Sequence, residues 1–112
     1  MDPSLRVLVV WEPMLATDLR SPVRSTLARI PDKRASQFWD PQHLVAKELG
    51  RIADEHPEQP KPVCCVDHAF FWDDVILYPP HSTWRQTPTA IFWNGPVVRV
   101  TTALEQALKN RP

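Results

Sequence analysis

Gln86-Thr87-Pro88-Thr89-Ala90-Ile91-Phe92-Trp93-Asn94-Gly95-Pro96-Val97-Val98-Arg99-Val100 is the stretch on which the fold turns. It reads as a proline-led strand, a two-residue turn and a returning strand. A proline lacks an N–H and is tolerated at a strand start. An X-Pro bond is also the common place for a cis peptide. Asn94-Gly95 matches the pair that a type I′ hairpin requires, so Ile91-Phe92-Trp93 is expected to return against Val97-Val98-Arg99-Val100. Pro96 argues for an edge position or a longer loop, since it cannot donate to a ladder. Thr101-Thr102-Ala103-Leu104-Glu105-Gln106-Ala107-Leu108-Lys109 then closes the chain as a helix, with a threonine cap and Leu104 and Leu108 on one stripe.

Working outward, Leu5-Arg6-Val7-Leu8-Val9-Val10-Trp11 is almost continuously apolar, as befits a central strand buried on both faces. Ser21-Pro22 is a good N-cap and N1 pair, and Val23, Leu27 and Ile30 follow at helical spacing before Pro31 stops the helix. Ala35-Ser36-Gln37-Phe38-Trp39 is a second strand. Asp40-Pro41 opens a second helix carrying Leu44, Val45, Leu49 and Ile52 inward as far as His56-Pro57. Beyond the connector Pro57-Glu58-Gln59-Pro60-Lys61-Pro62, Val63-Cys64-Cys65-Val66 and Asp74-Val75-Ile76-Leu77-Tyr78 are further strand candidates. A rival register would pair Val75 to Tyr78 with Thr83-Trp84-Arg85.

The 112 residues fit one domain with a single core. Thirteen Lys+Arg balance thirteen Asp+Glu, so the net field gives no argument for a nucleic-acid or membrane partner. Thirteen prolines against two glycines is more than twice the usual ~5% proline share; spread along the chain, they indicate stiff loops between ordinary elements. The sequence contains no apolar run of about twenty residues and opens without a signal-peptide pattern, so a cytoplasmic protein is expected. Two adjacent cysteines make no disulfide framework.

The β-α-β-α order, the Thr87-Pro88 step, the Asn94-Gly95 turn and the closing helix together resemble the thioredoxin-like superfamily. The resemblance implies an α/β fold: a three-layer α/β/α domain over residues 1–112 with a mixed central sheet and an inserted segment near residues 57–85. It also implies a cis peptide at Thr87-Pro88. The redox members carry Cys-x-x-Cys at the start of the first helix, where the helix N-terminus favours the thiolate. Here that corner holds either Leu15-Ala16-Thr17-Asp18 or Ser21-Pro22-Val23-Arg24, and neither contains sulfur. Serine and threonine cannot replace the attacking thiol, because exchange passes through a mixed disulfide. The resemblance therefore implies a member without dithiol activity, a binding or scaffold module with no cofactor. Thr17, Asp18, Ser21, Thr87 and Pro88 would line the small polar pocket left in that corner; capping alone also explains Thr17, Asp18 and Ser21.

Two further features compete for function. Cys64-Cys65-Val66-Asp67-His68 offers thiols for redox or soft-metal chemistry, with His68, His43, His56 or His81 as partners. No zinc spacing is present, however, and adjacent cysteines on a strand point to opposite faces. The aromatics Phe70, Phe71, Trp72, Tyr78 and Trp84 of the inserted segment are expected either to form a satellite cluster or to present a surface for a protein partner or for a homodimer. No basic residues interleave with them, which disfavours stacking on single-stranded nucleic acid.

Overall fold

Strand β1 (Val7–Trp11) and strand β2 (Ala35–Trp39) run parallel, in the register Leu8↔Ser36 and Val10↔Phe38, in a computed structural model that describes residues 5–13, 22–67 and 70–110. The connection between them contains helix α1 (Arg24–Leu27), a single turn whose N-cap is Val23 and has no side-chain cap bond. Ser21, the expected cap, lies outside the described residues. Asp32 and Arg34 tie the turn into β2 through a two-pronged ion pair, which holds the Asp32 carboxyl well below the usual carboxylate range.

Helix α2 (Leu44–Glu55) starts later than the expected Asp40-Pro41 pair: Pro41 lies in a turn and is not the first helical residue, although the Asp40 side chain still reaches the helix start. Buried Asp40 accepts the Leu44 and Val45 amides, one on each carboxylate oxygen, at 2.8 and 2.9 Å. This satisfies two of the N–H groups that a helix start leaves open, next to the positive end of its dipole. Its buried stripe is Ala46, Gly50 and Ile52, with Leu49 and Ala53 alongside. Leu44 and Val45, expected inward, are 63% and 46% exposed. Their positions in the first turn are committed to the Asp40 cap and lie off the stripe. On the outer face Arg51 pairs with both Glu48 and Glu55, one turn away in each direction.

The remaining strands are short. β3 (Val66–Asp67) pairs antiparallel with β4 (Phe70–Phe71), and β5 (Val75–Leu77) pairs antiparallel with β6 (Phe92–Asn94). Helix α3 (Val97–Lys109) ends the fold. The single mixed central sheet of a thioredoxin-like α/β/α domain is therefore not formed: among the described residues the strands make three separate two-stranded sheets, one parallel and two antiparallel. Positive φ angles at Cys65 (77°) and Asp73 (52°) turn the backbone on either side of the β3–β4 pair, and strands of two or three residues give no length for a continuous ladder. The element order still begins β-α-β-α and closes with a helix, as a thioredoxin-like order does.

The proline-led segment also departs from expectation. Asn94-Gly95 is not a hairpin turn, and Val97 to Val100 is the first turn of α3, with the Arg99 amide bonded to Pro96 O at 2.9 Å. Pro96 is the N-cap and needs no donor there. Val97, Val100, Leu104 and Leu108 continue one helical stripe, and Val100 is buried. Among the described residues the cis X-Pro peptide is Gly95-Pro96, and Thr87-Pro88 is not cis.

Contacts divide the chain into two compact units, residues 1–45 and 46–112. The core of the second is Ile52, Phe71, Ala90 and Trp93, flanked by Leu49, Ala53, Ile76 and Tyr78. Phe71 and Trp93 meet at a tilt with ring centres 5.0 Å apart, a geometry that suits aromatic quadrupoles.

Candidate functional site

In the first unit, the two faces of the β1–β2 pair differ. On one face, Trp11 donates its indole N–H to Gln37 Oε1 at 2.9 Å, and Gln37 passes its own amide N–H to the Leu27 carbonyl at 2.9 Å. That chain of bonds fixes α1 over the strands beside a hollow of ≈ 230 Å³ whose lining from this face is Trp11, Pro22, Leu27, Gln37 and Trp39. Strand alternation sends Leu8, Val10, Ser36 and Phe38 to the opposite face, where Leu8 is 66% and Phe38 52% exposed. Parallel strands ordinarily occur in sheets covered on both faces. Here, among the described residues, the pair has one apolar face in solvent and no third strand on either edge.

At the carboxyl ends of the same strands, Glu12 follows β1 and His43 follows β2. His43 Nδ1 faces Glu12 Oε1 across 3.4 Å, beyond good hydrogen-bond length but near enough for the charges to couple. Burial pushes the Glu12 carboxyl above its ordinary range; His43 opposes the shift and Asp40 adds to it. The backbone here is closely held, since the Asp40 amide donates to the Trp11 carbonyl at 2.7 Å and His43 has a positive φ of 57°.

In the second unit, Cys64 and Cys65 are bonded to each other as a disulfide between neighbours in sequence. The expectation that they face opposite ways fails because they precede β3 and lie outside the extended ladder, with Cys65 in the left-handed region. Cys65 is 6% exposed, whereas Cys64 is half-buried. The Trp72 amide donates to the Cys65 carbonyl at 2.8 Å. Gly95 packs so closely that an added Cβ would collide with Asp74 Oδ1 and with the Asp73 carbonyl at 2.5 Å, and would stand 3.3 Å from Cys65 Sγ. Asp74 in turn accepts the Trp93 indole N–H at 3.0 Å.

Of the residues expected to line a pocket at the missing dithiol, the described structure contains Thr87 and Pro88. Thr17, Asp18 and Ser21 lie outside the described residues. Thr87 and Pro88 are half-buried in the second unit, where the Pro88 carbonyl is held by Gln59. Of the aromatic group, Phe71 belongs to the core, Trp72 is half-buried, and half-buried Tyr78 meets exposed Trp84 edge-on at 5.5 Å. The Phe70 side chain is outside the described set. Among the described residues, no three His, Cys, Asp or Glu side chains gather as metal ligands. Nor is any helix long and apolar enough to cross a membrane.

Sequence reasoning missed the Glu12–His43 pair, which joins two loops far apart in the chain and follows no spacing rule. It also missed the uncovered Leu8–Phe38 face, although β1 and β2 themselves were legible.

These features define an α/β chain without a Cys-x-x-Cys motif, bearing an open parallel strand pair and a neighbouring-cysteine bond. No family model, curated protein or solved structure matches it.

Proposed function

We propose that this chain is a binding or scaffold module without dithiol oxidoreductase activity, and that the apolar face carrying Leu8 and Phe38 is its recognition surface. The exposure of these two side chains, on an open pair of parallel strands, is the observation that carries the reading. An exposed apolar face marks an interaction site more often than chance decoration, and open strand edges accept a further strand through main-chain bonds. The balanced charge of the chain sets no net repulsion against a second copy, so self-association through this face is the simplest form of the proposal. The reading keeps the cytoplasmic setting expected from the sequence and invokes no nucleic acid and no cofactor.

The test is the double variant Leu8→Asp with Phe38→Asp. Wild type should associate as concentration rises in light scattering and should bind an apolar dye. The variant should lose both behaviours while melting within a few degrees of wild type. A variant that melts far below wild type would mean that the face is core. Insulin reduction driven by dithiothreitol should proceed no faster than in buffer, and clear turnover would reject the absence of dithiol activity.

A further inference from the structure

We infer that the hollow beside α1 binds a small, uncharged nitrogen heterocycle of two fused rings, a free purine-type base. The inference is independent of the apolar face above, because it rests on side chains from the other side of the same strands. Trp11 and Trp39 are register partners at the carboxyl ends of β1 and β2 and point to one face. Ligands of open α/β sheets sit beyond the carboxyl ends of parallel strands. With Pro22 and Leu27 from the α1 side, the two indoles line the space of ≈ 230 Å³. These four residues are half-buried, so the space is reached from solvent. A cavity of about 150 Å³ holds one benzene ring. The larger volume here takes a second, fused ring.

Gln37 supplies the specificity. A glutamine amide can accept two hydrogen bonds and donate two. Among the described residues, Gln37 Oε1 accepts from the Trp11 indole and Nε2 gives one N–H to the Leu27 carbonyl. One lone pair and one N–H are left over, on a side chain whose position those two bonds fix. A ring that carries both a lone-pair nitrogen and an N–H answers both, which a hydrocarbon ring cannot. The indole faces stack on any flat ring, so they supply affinity without choosing between ligands. No charged side chain lines the hollow. A phosphate or carboxylate tail would find no counter-charge there, which confines the ligand to its neutral rings.

The test titrates the full chain with adenine and follows the tryptophan indole N–H resonances by NMR, assigned with Trp11→Phe, Trp39→Phe and Trp84→Phe. Trp11 and Trp39 should shift together along one saturable curve, and exposed Trp84 should not follow it. Adenosine monophosphate should bind no more tightly than adenine. Leu27→Trp fills the hollow while leaving the backbone carbonyl that holds Gln37, so it should melt near wild type and lose the saturable shift. Gln37→Met keeps the volume and removes both hydrogen bonds to the ligand, so it should bind adenine roughly ten-fold more weakly. An absence of shifts at Trp11 and Trp39, shifts that never saturate, or shifts that Trp84 shares would overturn the site. So would full adenine binding by a folded Leu27→Trp chain, or a nucleotide held more tightly than the base.

Discussion

Gln59 Oε1 accepts the backbone N–H of Ala90 at 2.9 Å, with both residues almost fully buried. The same side chain donates from Nε2 to the Pro88 carbonyl at 2.8 Å, so one amide secures both sides of residue 89. The segment from Pro88 to Ile91 precedes β6 and lacks a strand partner for most of its backbone, which leaves Gln59 to supply it. Gln59→Ala should destabilise the protein by about 2 kcal/mol, because a buried donor and a half-buried acceptor lose their partner together. Urea unfolding measures this. A shift of the midpoint no larger than that of an exposed-site control would show that water replaces the side chain.

Gly95→Ala tests the packing beneath α3. The new methyl would meet the Asp74 carboxylate and the Asp73 backbone, neither of which is a yielding neighbour. Overpacking of this kind costs about 1–3 kcal/mol, visible as a lower melting temperature in calorimetry. Unchanged melting would mean that the 73–74 turn moves freely.

Tyr78 is the only tyrosine in the sequence, so tyrosinate absorbance reports it alone. Burial pushes its hydroxyl up to about 12 from the ordinary 10.0. The folded state therefore favours the neutral phenol: the contribution is fully present below pH 10 and is lost as pH rises through about 12. Titration should give a midpoint near 12 in the folded protein and near 10 in denaturant. Tyr78→Phe should remove the corresponding fall in alkaline stability.

Glu12 gives a second pH dependence with the same sign. Its folded pKa lies above 4.5, so its contribution is complete below pH 4.5 and declines as pH rises through the raised value. Subtracting the stability of Glu12→Gln from that of wild type at each pH should give a difference that falls as pH increases from 4.5. A difference that rises over that interval would mean that attraction to His43 outweighs burial.

Much of the first unit was legible because its signals agree. β2 spans Ala35–Trp39 as read, and Asp40 caps α2 with both oxygens because a helix start leaves amides to satisfy. The end of the chain was misread where two signals conflict. Val97-Val98-Arg99-Val100 has strand composition, but buried Val100 shares a helical stripe with half-buried Leu104 and Leu108, and the helical period prevails. The left-handed backbone at Cys65 was not legible either, since neither Gly nor Asn announces it there. The open Leu8–Phe38 face could not be read at all, since β1 looks like a strand covered on both sides and covering depends on the other elements of the fold.

Residue-resolved hydroxyl-radical footprinting of Leu8 and Phe38, across a dilution series of the full chain, tests whether their face is a recognition surface. Both side chains should label strongly in dilute protein and become protected as the associated species accumulates, while buried Ile52 and Val100 stay unlabelled throughout. Leu8 and Phe38 as unreactive as Ile52 in the dilute chain would contradict that role.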